Sequence, residues 1–296
     1  MMNFFTSLIN NLISGLSVGS IYALIALGYT MVYGIAKMLN FAHGDIIMVG
    51  AFAVIVSVSS LGLPSIIAIL IAVAVCVVLG VVIEAIAYRP LRNASPLAVL
   101  ITAIGVSYLL QNLALLIFGS TQYSFPRLFQ MEAIHFGQIT ISGQSIITLL
   151  VTTIIMIALH FFINQTKIGK AMRAVSEDKG AAELMGISVN RTISVTFAIG
   201  SGLAAIAGLF YGLTYGFIGP YTGSMPGIKA FVAAVFGGIG SIPGAMLGGI
   251  LLGVIESFSK AYISTELSDA IVFGILILVL TIRPFGLLGK KTNEKV

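Results

Sequence analysis

KIGKAMRAVSEDKGAAELMGISVNR, residues Lys167 to Arg191, decides how the rest of this chain is arranged. Only 8% of the 296 residues are charged, yet charged side chains make up roughly one third of this stretch. An apolar run ends just before it and another begins just after it. Because Lys and Arg concentrate in the cytoplasmic loops of membrane proteins, the stretch predicts a cytoplasmic loop at about 164–192. Its basic residues are Lys167, Lys170, Arg173, Lys179 and Arg191.

The composition of the whole chain is that of an integral membrane protein. It is 58% hydrophobic with a mean hydropathy of +1.09, which is too apolar for a soluble domain of this length. Unbroken apolar runs of about 18 residues or more predict membrane-spanning helices rather than a β-barrel. We therefore predict an all-α integral membrane protein with a single transmembrane domain over 1–296. It should contain about eight spanning or re-entrant helical segments, with broken helices in each half.

The apolar runs place the predicted segments along the chain. The first follows an N-terminus without a basic region, and we expect it to be a retained span rather than a cleaved signal peptide. The segment before the C-terminus is followed by a basic tail, which predicts a cytoplasmic C-terminus. The predicted segments are 8–34, 41–60, 64–88, 97–118, 145–163, 193–217, 227–256 and 269–289. The basic residues of the tail are Arg283, Lys290, Lys291 and Lys295.

The number of membrane crossings after the loop at 164–192 predicts that the segment 227–256 folds back on itself. If 227–256 crossed the membrane once, the basic tail would emerge on the wrong side. The conflict disappears if this segment enters and returns at GGIGSIPG, Gly237–Gly244, because four glycines and a proline in eight residues are poor helix material. We therefore predict a broken or re-entrant segment there. Two short tilted spans are an alternative with the same parity.

A second interruption, KMLNFAHGDIIMVGAF at Lys37–Phe52, lies between two apolar runs. Transporters often carry corresponding interruptions in their two halves, so we predict that this break and the glycine-rich turn form such a pair. The ends of half-helices would offer partial charges to a substrate. A helix N-cap role for Asp45 is the alternative. The candidate translocation path is Asn40, His43, Asp45, Gly237, Gly238, Gly240 and Ser241.

The other ionisable residues of the spans predict local pairs. Glu84 is expected to pair with Arg89 or Arg92 near the end of its span, and Glu256 with Lys260 at i, i+4. No acidic residue is expected at the centre of a span, and no charged residue is expected to hold the charged groups of a substrate. The sequence thus favours a weak, transient pathway over a tight binding site.

Several functions and ligands are not expected. The net charge of +5 lies at the ends of apolar segments and does not predict nucleic-acid binding. Cys76 is the only cysteine, so no disulfide or cysteine-based metal site is predicted, and no cofactor is expected. PFGLLGKKT departs from a nucleotide-binding loop because Pro284 replaces the first glycine and Lys291 the Ser/Thr. We predict that the chain is not an enzyme and does not itself hydrolyse ATP.

The charged stretch predicts a short amphipathic helix in the loop. Ser176 can cap it, with Glu177 and Asp178 in the first turn, where the helix dipole favours acids. Gly186 suits the position just after its C-terminus. About ten residues are too few for a helix that is stable alone in water. The helix therefore needs a surface, which is either the ends of the chain's own spans or a cytoplasmic partner.

Three motifs in this order resemble a known family. SEDKGAAELMGISVNR, NFAHGD and GGIGSIPGAMLGG together are similar to the permease subunits of bacterial ABC importers for branched-chain amino acids, and the resemblance covers nearly the whole chain. It implies a second homologous permease subunit, two cytoplasmic ATP-binding subunits, and a periplasmic or extracellular substrate-binding protein. It also implies a multi-pass location in the lipid of the bacterial inner (plasma) membrane and transport by alternating access. The residues implied in coupling to the ATPase are Glu177, Asp178, Ala181, Ala182 and Gly186.

Alternative functions stay open at this stage. Related permeases carry urea or short amides. Two further alternatives are a secondary amino-acid transporter coupled to H⁺ or Na⁺ and a membrane scaffold without transport. We expect Glu177→Lys to uncouple transport from ATP hydrolysis. Gly240→Leu or Asn40→Leu is expected to abolish uptake and leave the complex assembled.

Overall fold

The computed structural model describes residues 2–129, 131–136 and 139–289, and helices make up most of them. A π-helical turn at Val56–Ser60 extends the helix His43–Ile55. The helix Ser65–Ile83 continues through a π-helical turn, Glu84–Tyr88, and a 3₁₀ turn, Arg89–Leu91. Within the described ranges the helices are α1 Met2–Ala36, α2 His43–Ile55, α3 Ser65–Ile83, α4 Pro96–Phe118, α5 Gly143–Gln165, α6 Lys167–Glu177, α7 Lys179–Leu184, α8 Val189–Tyr215, α9 Ser224–Gly237, α10 Ile242–Tyr262 and α11 Ser268–Ile282. The strands are β1 Tyr123–Ser124, β2 Ile134–Phe136, β3 Ile139–Ile141 and β4 Phe217–Ile218. They form two short antiparallel pairs, β1 with β4 and β2 with β3.

The predicted fold class, an all-α integral membrane protein, is confirmed. Seven helical stretches in the described part of the chain are long and apolar enough to cross a membrane, and α9 and α11 are shorter apolar helices. The predicted segment 227–256 is two helices, because the chain turns between Gly237 and Ile242. The left-handed backbone at Gly238 (φ 110°) and Gly240 (φ 90°) explains why glycine occupies this turn.

Helices α1 and α10 form an antiparallel seam with backbones in close contact. A Cβ atom on Gly19 would lie 2.6 Å from the carbonyl oxygen of Ile250, and one on Gly15 would lie 2.9 Å from Val254 Cα. Small residues permit this approach where there is no hydrophobic drive to associate, since the lipid is as apolar as the side chains. The middle of α1, residues 21–27, is buried on all sides. Helix α1 is therefore the central helix of the bundle.

Contacts between helix ends define one end of the bundle, called here the loop end. Lys179 in α7 donates a hydrogen bond to the carbonyl of Ala36, the last residue of α1, at 3.3 Å. A Cβ atom on Gly34 would lie 3.4 Å from Gly240 Cα in the α9–α10 turn. The loop 164–192, the end of α1 and the glycine-rich turn thus lie together. The opposite end, which carries the segment between α4 and α5, is called the far end.

The C-terminal segment returns to the loop end and covers the end of α9. The backbone N–H groups of Leu287 and Leu288 donate to the carbonyls of Phe236 and Gly237, both at 2.9 Å. These carbonyls belong to the last turn of α9, where the carbonyl oxygens have no N–H donor within the helix. The chain up to residue 289 therefore lies at the same end as the loop 164–192. The other cations of the predicted basic tail, Lys290, Lys291 and Lys295, lie outside the described residues.

Candidate functional site

The short helices α2 and α9 begin against each other inside the bundle. The segment 37–42 leads back from the loop end to the start of α2, and 216–223 leads back from the far end to the start of α9. The two backbones meet at glycines, since a Cβ atom on Gly44 would lie 2.6 Å from the carbonyl oxygen of Gly223 and 3.1 Å from Gly227 Cα. Two helix N-termini, with the positive ends of their dipoles, thus converge here.

This arrangement corrects the predicted pairing of the two breaks. The break at Lys37–Phe52 was expected to correspond to the glycine-rich turn 237–244. Its partner in space is instead the segment 216–223, while the turn lies at the loop end beside Gly34. The sequence gives little signal for this second break, because YTGSMPG is short and its polar residues are uncharged. The real pair has opposite directions, as α2 leaves the junction toward the far end and α9 toward the loop end.

A glutamine on α4 links the starts of both short helices. Gln111 Nε2 lies 3.0 Å from Asp45 Oδ1 and 3.2 Å from Ser224 Oγ. Asp45 is buried in the first turn of α2, and the N-cap position is Ala42, without a side-chain cap. The N-cap alternative for Asp45 is therefore wrong, because its carboxylate contacts another helix. Gln111 was missed, although an amide inside an apolar run is the signal that could have found it.

Asn40 and His43, the other predicted path residues of the first break, are packed rather than open. Asn40 Oδ1 accepts a hydrogen bond from the Tyr88 hydroxyl at 2.9 Å, and both residues are buried. The His43 ring lies edge-on to Tyr29, with 4.8 Å between centroids. Its Nε2 atom has no hydrogen-bond partner among the described residues. The expectation that Asn40→Leu would leave assembly intact is weakened, since it would strip a buried hydroxyl of its partner.

The four predicted path residues of the glycine-rich turn lie apart from the junction. Gly237 and Gly238 are buried, and a Cβ atom on Gly238 would lie against Gly289 in the C-terminal segment. Gly240 is exposed. Ser241 caps α10, because its hydroxyl accepts the N–H of Gly244 at 3.3 Å. The structure thus places these residues at the loop end and does not bring them to the α2–α9 junction.

A cluster of four charged residues, of which only the Glu256–Lys260 pair was predicted, joins α9, α10 and α11. Glu256 is 1% exposed and accepts hydrogen bonds from the Tyr22 hydroxyl at 2.8 Å, Lys229 Nζ at 2.9 Å and Lys260 Nζ at 2.5 Å. Lys229 Nζ also lies 2.7 Å from Asp269 Oδ1. The predicted Glu256–Lys260 pair is confirmed, as one part of this larger cluster. A cation inside an apolar run, Lys229, was the signal that could have found it.

Two buried acids lie in helices of spanning length, but neither is at the centre of its helix. Asp45 is in the first turn of α2 and Glu256 is in the second half of α10, so the expectation of no acidic residue at the centre of a span is not contradicted. Lys229, Glu256, Lys260 and Asp269 also line a cavity of about 290 Å³, so charged groups are available to a polar ligand. Glu256 lies in the second half of α10, and α11 packs against this helix.

Glu84 forms a second charged cluster at the loop end. It is fully buried and accepts hydrogen bonds from Arg89 at 2.9 Å and from the Ser194 hydroxyl of α8 at 2.7 Å. Arg92 pairs with the same carboxylate and also contacts Asn190 of α8. The predicted pairing of Glu84 with Arg89 or Arg92 is confirmed, and the structure shows that both arginines take part. The cluster connects the end of α3 to the start of α8, the helix that follows the charged loop.

Glu84→Gln is expected to destabilise the protein by about 3 kcal/mol, because it leaves two guanidinium groups beside a buried site without a counter-charge. The apparent melting temperature of the purified protein should fall by roughly 5–10 °C. Glu132→Gln removes a carboxylate from an exposed position and should leave the melting temperature unchanged. Equal melting temperatures for both variants would show that the Glu84 cluster contributes nothing to stability.

The charged loop contains two helices, α6 and α7, instead of one. Asp178 separates them and caps α7, because its carboxylate accepts the N–H of Ala181 at 3.0 Å. The predicted cap, Ser176, is wrong: it lies within α6 and its hydroxyl donates to the Arg173 carbonyl at 2.7 Å. Gly186 has φ 79° and follows the end of α7, as predicted. Asp178 is the cap because the backbone leaves the helical conformation of α6 at this residue, where φ is −154°.

The residues predicted to couple to a partner are mostly exposed. Ala182 is buried against the bundle, whereas Glu177, Asp178, Ala181 and Gly186 are exposed. The α7 helix also presents two large apolar side chains, since Leu184 is 90% and Met185 82% exposed. We call these two residues the α7 tip.

Lys179 anchors α7 to the rest of the bundle. Its ammonium group donates to the carbonyl of Ala36 at the end of α1, where the helix dipole favours a cation. Partial burial, together with the nearby charges of Arg92 and Lys37, lowers the pKa of Lys179 below its usual value. The anchor connects the charged loop to the central helix.

The arrangement defines a class of protein. Helices α2 and α9 follow breaks in the chain and meet at their N-termini inside a bundle of helices of spanning length, and interrupted helices of this kind are typical of transporters. Residues 11–280 match the model of a family described as "Branched-chain amino acid transport system / permease component". The chain belongs to this family.

Curated relatives extend over almost the whole chain. The high-affinity branched-chain amino acid transport system permease protein BraD of Pseudomonas aeruginosa is 46% identical, over 97% of this chain and 98% of its own. The corresponding LivH proteins of Salmonella typhimurium and Escherichia coli K12 are each 44% identical, over 99% of both chains. No solved structure matches the chain.

Proposed function

We propose that this protein is a permease subunit of an ATP-driven ABC importer that passes branched-chain amino acids across the bacterial inner (plasma) membrane by alternating access. The observation that carries the proposal is the identity of 44–46% with LivH and BraD over nearly the full length of each chain. A permease moves its substrate between helices and needs no ATP site of its own.

The exposed α7 tip supports the presence of cytoplasmic ATP-binding subunits. Large apolar side chains that are rimmed by charges and stay exposed in the described part of the chain indicate a protein interface. The position of the tip supports coupling, because Lys179 connects α7 to the last turn of α1. Force applied at α7 would reach the central helix directly. The coupling residues in this proposal are Glu177, Asp178, Ala181, Ala182 and Gly186, together with the α7 tip.

The orientation of the chain follows from the same proposal. The loop end, with its basic loop, faces the cytoplasm, and the C-terminus lies on that side too. The far end then faces the periplasm or the outside, where a substrate-binding protein delivers the amino acid. A second homologous permease subunit completes the path. The junction of α2 and α9 is the element that alternating access would rearrange, since Asp45, Gln111 and Ser224 connect three helices there.

Wild-type protein, co-expressed with two ATP-binding subunits, a second permease and a binding protein, should import leucine into proteoliposomes when ATP is present. No ion gradient should be needed. The buried acids Asp45 and Glu256 make the ion-coupled alternative worth testing, because such groups can carry coupling protons. Uptake driven by a proton or sodium gradient alone would contradict the proposal. Import of urea or acetamide in preference to leucine, isoleucine and valine would retain the mechanism and change the substrate.

A further inference from the structure

The cavity at the far end contains a balanced set of charges. Its volume is about 290 Å³, near the lower limit of the roughly 300–1,000 Å³ of small-molecule pockets. Two cations and two anions line it, so the cluster has no net formal charge. They are Lys229, Lys260, Glu256 and Asp269. We propose that this cavity is a binding station for a zwitterionic α-amino acid with a branched apolar side chain, occupied as the substrate enters the permease. This inference rests on the proposed function.

The four charged groups differ in how far a ligand can reach them. The side chains of Lys229 and Glu256 are 8% and 2% exposed, whereas those of Lys260 and Asp269 are 36% and 39% exposed. Glu256 is surrounded by three donors, from Tyr22, Lys229 and Lys260. The inner pair, Lys229 and Glu256, is thus neutralised by the protein. The outer pair, Lys260 and Asp269, faces the cavity.

The outer pair keeps unused hydrogen-bonding capacity. An ammonium group has three donors and a carboxylate about four acceptor sites. Lys260 donates to Glu256, and Asp269 contacts Lys229. Each therefore has sites left for a ligand. The carboxylate of an amino acid would bind Lys260 and its ammonium group would bind Asp269, both as charge-assisted hydrogen bonds.

The remaining lining suits an aliphatic side chain. Met225 and Pro226 border the cavity from the start of α9, and Tyr211 and Tyr215 border it from α8. Methionine adapts its shape to different branched groups, and tyrosine rings offer apolar faces with polar tips. Pro226 also lies next to Gly227, which packs on Gly44 at the α2–α9 junction. A ligand in the cavity would therefore contact the helix that leads to the junction.

The test uses the whole transporter in proteoliposomes, with radiolabelled leucine and binding protein outside and ATP inside. Asp269→Asn and Lys260→Gln are each expected to lower the initial uptake rate at least tenfold. Thr265→Phe should do the same, because Thr265 lines the cavity and a phenyl group would fill it. Glu266→Gln, which removes an exposed carboxylate from the same α10–α11 connection, is the matched control and should import at the wild-type rate.

A purely structural role of the cluster predicts a different pattern. Asp269→Asn would then lower the melting temperature of the complex, and Thr265→Phe would import leucine normally. That result, or wild-type uptake in Asp269→Asn, would overturn the binding station. If Asp269→Asn does not assemble, the rate of Thr265→Phe decides. A wild-type complex that fails to import leucine would count against the proposed function instead, so the two failures are distinguishable.

Discussion

Gly19→Leu should abolish accumulation of the folded protein. A side chain at this position meets backbone atoms of α10, since its Cβ atom would lie 2.6 Å from Ile250 O and 2.8 Å from Ile250 Cα. A flexible side chain can move aside, but a helix backbone cannot do so without separating the two helices. The cost should therefore exceed the about 1–3 kcal/mol of ordinary overpacking. Because α1 is the central helix, the loss spreads to α8 and α9, which also pack on it.

The measurement is size-exclusion chromatography of a fluorescent fusion in mild detergent. Gly19→Leu should give aggregate in place of the monodisperse peak of the wild-type protein. Gly105→Leu and Gly274→Leu are matched controls, because a Cβ atom at either helical position meets nothing within 4 Å. Both replace glycine by a better helix former and should give the wild-type profile. A monodisperse Gly19→Leu protein would mean that the α1–α10 seam is not close-packed.

Local sequence patterns predicted local structure well. The runs of apolar residues gave the helices of spanning length, and Glu84 was paired correctly because Arg89 and Arg92 follow it within two turns. The fold-back at 237–244 came from a different argument, in which basic loops fix the parity of crossings. Apolar runs and basic loops are constraints that act within one segment or across one bilayer. They need no knowledge of which helices are neighbours.

Contacts between distant segments could not be predicted in the same way. The cluster of Lys229, Glu256 and Asp269 depends on three different helices packing together, and nothing in one helix specifies the other two. The meeting of Gly44 with Gly223 is a contact between glycines nearly two hundred positions apart. Glycine serves many purposes in membrane helices, including turns and close packing, so its presence alone did not distinguish the glycine-rich turn from the junction.

The prediction of Ser176 as the helix cap was wrong for another reason, since Asp178 is the cap. Both are good N-cap residues. The sequence contains no signal for a separate helix, α6, that ends at Glu177 before α7 begins. With α6 and α7 separated, α7 is a single short turn whose last residues project from the bundle. This changes which residues of the loop are expected to matter most. The acidic residue Glu177 is exposed at the end of α6, and the apolar α7 tip becomes the stronger candidate for contact with a partner.

Leu184→Asp is expected to abolish co-purification of the ATP-binding subunits and to lower leucine uptake at least 100-fold. Burial of an exposed leucine side chain contributes about 1.5–3 kcal/mol, and an aspartate buried in its place adds the cost of an unpaired charge. Since about 1.4 kcal/mol corresponds to a tenfold change in affinity, the combined loss exceeds two powers of ten. Glu177→Lys should have a smaller effect on assembly, because exposed charges contribute about 0–1 kcal/mol.

The matched control is Leu61→Asp, the same substitution at an exposed leucine between α2 and α3. It lies at the far end and should leave binding of the ATP-binding subunits unchanged. Co-purification from detergent, with a tag on this chain, measures association directly, and uptake in proteoliposomes measures its consequence. Insertion of the α7 tip into lipid is the alternative, since exposed apolar side chains near a membrane can enter it. In that case Leu184→Asp would still co-purify with the ATP-binding subunits, and the α7 tip would not be their contact.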